Sequence, residues 1–174
     1  MLTREGVMQR PIFLLVSDDR PRLEALRRDL SRRYEPDYEV GGATSAAAAL
    51  AALADHAGSG AQVALVIADE HLADMPAVDF LVSAHGLHPG AKRVLLVDRG
   101  HWSAVHPAIA AMAVGKIDYH LYVPWFPVEQ FLHPAVTEFL AAWDRSREPS
   151  VVAFPSSGRP PRPGRTGCAR IWPA

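Results

Sequence analysis

Three short runs in this chain are apolar almost without interruption: PIFLLV (11–16), QVALVIA (62–68) and KRVLLV (92–97). A strand with one wet face alternates apolar and polar residues. These runs do not alternate, so they read as strands buried on both faces, the mark of a parallel sheet clad by helices. Two weaker runs, YEVGGA (38–43) and IDYHLYV (117–123), bring the expected strands to five.

Helical patterns separate them. LEALRRDLSRR places Leu23, Leu26 and Leu30 on one side, with Pro21 suited to a first turn. TSAAAALAALADHAGSG has a Thr/Ser cap and a glycine stop. MPAVDFLVSAHGLHPG and SAVHPAIAAMAVG are shorter helices. After Pro127, a wide apolar stripe runs through Val128, Phe131, Leu132, Ala135, Val136, Phe139, Leu140 and Trp143. Pro134 lies inside this helix and is expected to bend it. Five strands, each followed by a helix and joined by right-handed crossovers, give a doubly wound parallel five-stranded α/β sheet with helices on both faces.

Charge marks a boundary. Residues 145–174 hold six arginines against Glu148 alone, together with six prolines, a composition that builds neither helix nor strand core. A domain over 10–144 and an extended Pro/Arg-rich tail over 145–174 are therefore expected. The tail is too proline-rich for a helix-turn-helix, so no DNA-binding domain is expected in it. The net charge of −1 points to no polyanionic partner. Cys168 is the sole cysteine, which excludes an intramolecular disulfide and suits a reducing, cytoplasmic setting. No apolar run approaches the ~18 residues of a membrane span, so no membrane partner is expected.

Functional groups in such sheets gather at the carboxyl ends of the strands. The first strand ends in Asp18-Asp19, the long central one in Asp69-Glu70-His71, the next in Val97-Asp98 and the last in Val123-Pro124. Each acid taken alone suits a helix cap or a wet surface. Three converging carboxylates, Asp18, Asp19 and Asp69, instead repel one another unless a cation intervenes, and a hard divalent ion such as Mg²⁺ answers that need. The eight histidines show no metal-site spacing. No phosphate loop, nucleophile elbow, G-x-G-x-x-G or C-x-x-C is present, so a binding module rather than an enzyme is expected. The arginines of the first helix, Arg20, Arg22, Arg27, Arg28, Arg32 and Arg33, read as a solvated outer face or a dock for an acidic partner.

FLLVSDDRPRLEALRRDL, VALVIADEHLADMPAVDFL, KRVLLV and DYHLYVPW together resemble the response-regulator receiver domain over about residues 10–144. The resemblance implies a flavodoxin-like (βα)5 fold with strand order 2-1-3-4-5. It makes Asp69 the phosphoacceptor, with Mg²⁺ held by Asp19, Asp69 and the backbone carbonyl of His71, and Asp18 assisting through water. KRVLLV, the PW pair and the long last helix also resemble receivers fused to thioredoxin-reductase-like flavoproteins.

Departures from the family pattern are concentrated at the switch. Val97 stands where a Ser or Thr is usual, Val123 where a Lys is usual, and His120 at the switch aromatic. Ala73 and Ala77 replace a usual Pro and Gly. Each missing oxyanion donor costs roughly 3–4 kcal/mol of transition-state stabilisation, so impaired phosphorylation is expected. Loss of the lysine removes the internal cation, the two valines suggest an apolar pocket floor, and Asp98 adds negative charge if it turns inward. The expected function is an atypical, degenerate receiver of a two-component phosphorelay. It would work with a histidine kinase or another signalling protein, and form a homodimer through the helix 4–strand 5–helix 5 face, where Trp125 is expected to add exposed aromatic surface. The alternatives are a phosphorylation-competent single-domain regulator using Asp69 with Mg²⁺, and a pseudo-receiver gated by a small molecule in an apolar pocket.

Overall fold

A computed structural model describes residues 9–100 and 102–147. The chain alternates strictly: β1 (Ile12–Val16), α1 (Arg20–Tyr34), β2 (Glu39–Ala43), α2 (Ala46–Ser59), β3 (Val63–Asp69), α3 (Ala77–Leu87), β4 (Lys92–Asp98), α4 (Trp102–Ala113), β5 (Tyr119–Val123) and α5 (Val128–Arg147). The five strands form one parallel sheet in the order β2-β1-β3-β4-β5. This is the expected flavodoxin-like topology.

The non-alternating runs are buried as their composition demands. Every residue of β1 and of β3 is buried. On one face, Ile12, Leu14, Val16, Val66, Ala68, Leu95 and Val97 pack under α2, α3 and α4 through Leu53, Phe80, Leu81 and Ala108. On the other, Phe13, Leu15, Leu65, Ile67, Leu96 and Leu121 pack under α1 and α5 through Leu26, Leu30, Leu132, Val136 and Trp143. β2 and β5 are the least buried strands because they lie at the two sheet edges. Gly42 lies beside Leu23 of α1, where a Cβ would come into ordinary contact at 3.4 Å.

Caps bring the helix starts to the carboxyl edge of the sheet. Asp19 caps α1 by accepting from the Arg22 N–H at 3.1 Å. Ser45 caps α2, and Asp74 reaches across from the β3–α3 loop to accept from the N–H groups of Ala46 and Ala47. Gly60 ends α2 in the left-handed region at φ 76°. α5 continues through Pro134 as one 20-residue helix, and residues 145–147 complete its last turn rather than starting the tail. There Arg147 lies 4.4 Å over the Trp143 ring. The remainder of the expected tail, and Cys168 with it, lies outside the described residues.

Trp125 departs from expectation. It is 3% exposed, not a surface aromatic. Its indole Nε1–H donates to Asp29 Oδ2 at 2.9 Å, and Asp29 is itself buried on α1. Phe126, at 56% exposure, is the aromatic that this loop presents to solvent. Replacing Trp125 by Phe leaves the Asp29 carboxylate buried without its donor. Urea denaturation of Trp125→Phe is expected to show a loss of about 1–3 kcal/mol, part of which Asp29→Ala restores in the double variant.

Candidate functional site

Asp69 closes β3 and is 1% exposed. A carboxylate that deep in an apolar sheet needs hydrogen bonds and a counter-charge. Ser17, two residues before the Asp19 cap, donates its hydroxyl to Asp69 Oδ2 at 2.8 Å and accepts from the Asp19 N–H at 3.2 Å. Arg22, in the first turn of α1, supplies the charge. Its Nη1 lies 3.0 Å from Asp69 Oδ1 and 2.9 Å from Oδ2. Its Nη2 lies 3.1 Å from Asp98 Oδ1, and its Nε 3.7 Å from Asp19 Oδ2. One guanidinium therefore faces three carboxylates. Burial alone would lower the Arg22 pKa; the charges of Asp69 and Asp98 outweigh it and push the pKa up. Arginine is thus firmly the cation of this site.

Two expectations change here. Val123 leaves the lysine position without a charge, but the internal cation is not lost, because Arg22 comes in from α1 rather than β5. Nor is the pocket floor apolar: Ser17 and Arg22 line it, and Val97 turns away into the core under α2, α3 and α4. Val123 is half-buried against the α1/α5 side of the core. Arg22 also leaves the solvated helix face to which it was assigned, its side chain being only 21% exposed.

The remaining candidates fall around this centre. Asp98 does turn inward, toward Arg22. Asp19 is exposed and divided between capping α1 and facing Arg22. Asp18 is exposed at the same strand end. The His71 side chain is exposed, with Nδ1 3.4 Å from Glu70 Oε1. The Glu70 side chain is nearly buried, and its Oε1 accepts from the Asp98 N–H at 3.1 Å. Glu70, His71 and Asp98 bring one ligand atom each within 4.8 Å of one another. His120 lies on the α4 side of β5, with Nδ1 3.2 Å from Met112 Sδ and its ring edge-on to Tyr122.

The residues present do not fit Mg²⁺ as they stand. A hard divalent ion needs the Asp19 and Asp69 oxygens at about 2.0–2.6 Å, with room for water besides. The guanidinium occupies that space.

Ser17 and Arg22 were missed in the sequence. Ser17 belongs to no motif. Arg22 did leave a physical trace: α1 has no acid in its first turn and carries arginines there, against the sign the helix dipole favours. Basic residues in that position have to be held by something else, and the acids at the neighbouring strand ends hold this one.

Comparison with known proteins agrees with this architecture. No protein-family model and no curated protein matches the chain. Solved structures do. The signal receiver domain of an HD domain-containing protein from Pseudomonas fluorescens Pf-5 is 28% identical, with a TM-score of 0.65 over 84% of this chain and 98% of that one. An uncharacterized protein from Neptuniibacter caesariensis is 26% identical, with a TM-score of 0.68 over 83% and 98%. A CheY-like response regulator receiver domain protein from Methanospirillum hungatei JF-1 is 23% identical, with a TM-score of 0.63 over 79% and 99%.

Two partly or wholly buried histidines set a pH dependence. Burial pushes His120 below its ordinary 6.5, and burial together with Arg33 pushes His133 the same way. A folded state that binds these protons less readily than the unfolded chain loses stability as pH falls. The contribution is complete above about pH 6.5 and declines as pH drops from there through the lower folded values. Urea midpoints at about pH 7.5 and about pH 5 are expected to show the fall, and His120→Phe is expected to reduce it.

Proposed function

Taking the chain as a receiver-type domain of the response-regulator class, we propose that it is an atypical signalling module of a two-component pathway, in which Asp69 is a poor phosphoacceptor and output is by protein–protein contact. One observation carries this reading: both Asp69 oxygens accept from Arg22, and one of them also from Ser17. A carboxylate must present a free lone pair to attack phosphorus. Here three of its roughly four lone-pair sites accept from Arg22 and Ser17, and the side chains of Val97 and Val123 offer no donor to the transferred oxygens. Asp98, turned toward the same arginine, adds negative charge where a phosphoryl group would arrive.

The partners this reading implies are a histidine kinase or another signalling protein, and a second copy of the chain. Among the described residues, Ile109, Val114, Tyr119, Tyr122, Phe126 and Phe131 are exposed large apolar side chains of the α4–β5–α5 region. A patch of that kind favours docking. No helix among the described residues is long and apolar enough to cross a membrane, and a cytoplasmic place accords with a phosphorelay role. The module is read as a binding protein rather than an enzyme.

A second reading draws on the same pair. Ser17 and Arg22 bring a hydroxyl and a cation to Asp69, the two groups that Val97 and Val123 lack. If Arg22 turned toward an incoming phosphoryl group, Asp69 would be phosphorylation-competent.

Incubation with a small phosphodonor and Mg²⁺, followed by intact-mass measurement, separates these readings. The first expects no stoichiometric adduct. A full adduct that disappears in Asp69→Asn establishes the second. For the dimer, small-angle scattering across a concentration series is expected to show mass rising toward two chains, and Tyr122→Asp with Phe131→Asp to hold it at one. A constant single-chain mass in the unaltered protein removes the dimer.

A further inference from the structure

We propose that Arg22 takes the place of the divalent cation in this domain, so that the acidic edge of the sheet is neutralised from within the chain, and that removing its charge creates a metal site on Asp69. The inference rests on the same Arg22–Asp69 pair as the first reading above, but its test reads metal binding and not phosphorylation.

Position carries the argument. A cation serving Asp19, Asp69 and Asp98 must lie among all three, and Arg22 does so through three different nitrogens: Nε toward Asp19, Nη1 on Asp69 and Nη2 on Asp98. Only a planar, multiply donating group meets three carboxylates from one stem; a lysine ammonium at the end of β5 would approach from one side. The stem is fixed as well. The Arg22 N–H is held by the Asp19 cap, and the cap's own N–H is held by Ser17, which also bonds Asp69. Helix start, arginine and buried acid thus form one closed ring of bonds. A metal ion entering it would have to displace a guanidinium that already satisfies the ligands the metal needs, and would be repelled by it while it stayed.

The exchange of charge for metal is readable. Mn²⁺ is titrated into the full-length chain, and paramagnetic broadening is followed residue by residue in amide NMR spectra. In the unaltered protein, broadening is expected to be absent around Ser17, Asp69 and the first turn of α1. A metal on the adjoining Glu70, His71 and Asp98 would broaden the same amides, so every titration, with Arg22 unaltered or replaced, is run in a Glu70→Gln, His71→Ala background. Arg22→Gln, which keeps length and donors but removes the charge, is expected to bind Mn²⁺ at Asp69 about tenfold or more tightly than the unaltered chain. Adding Asp69→Asn is expected to abolish that gain, and Arg22→Lys to keep the site metal-free. A folded Arg22→Gln with no gain overturns the proposal. So does broadening centred on Asp69 in the unaltered protein, a result that stands even if Arg22→Gln fails to fold.

Discussion

A carboxylate buried at the end of a central parallel strand is the constraint from which the rest of this site follows. Asp69 is almost wholly removed from water, between strands that offer it only apolar neighbours. Ionised and unpaired, such a group costs several kcal/mol. The chain meets the cost with one hydroxyl and one guanidinium, both from the β1–α1 segment, and this dictates the local arrangement. Ser17 has to follow β1 directly, Asp19 has to cap α1, and Arg22 has to stand in the first helical turn on the side that faces β3.

The same arrangement leaves the side chains at the ends of β4 and β5 without a part in pairing Asp69. Val97 contributes to the core beneath α2, α3 and α4 and leaves no hole where a hydroxyl would have been. Val123 supplies nothing to Asp69, whose charge is met by Arg22 from α1. The open edge of the sheet at β5 is correspondingly free of charge at its end, and its exposed tyrosines, Tyr119 and Tyr122, lie beside a cavity of about 340 Å³ lined also by Arg99 and Phe131.

Most of the architecture was legible in the sequence, and the limits were physical. β1, β3 and β4 are unmistakable because strands buried on both faces cannot alternate, and their order of succession with helices leaves few topologies. Asp69, Asp19 and Asp98 stood out as candidates because strand ends are where a parallel sheet exposes chemistry. Arg22 was not, because six arginines on α1 look alike until the helix is rotated onto the sheet, and only one of them faces Asp69. Trp125 was misread for a related reason. A loop sequence such as VPWFP says nothing of Asp29, which lies 96 residues earlier in the chain and meets the indole only after folding. Pairings of that range are invisible to local pattern.

The two acid–base partners of α1 have a geometric corollary. Arg22 and Asp29 are seven residues apart, close to two full turns, so they project from nearly the same side of the helix. One is bound to the end of β3, the other to the loop after β5. A twist of the helix about its own axis, or a slip by a single residue, would break both attachments together. α1 is thereby pinned like a bar with two bolts, and any hinge in this domain has to be sought among its other helices.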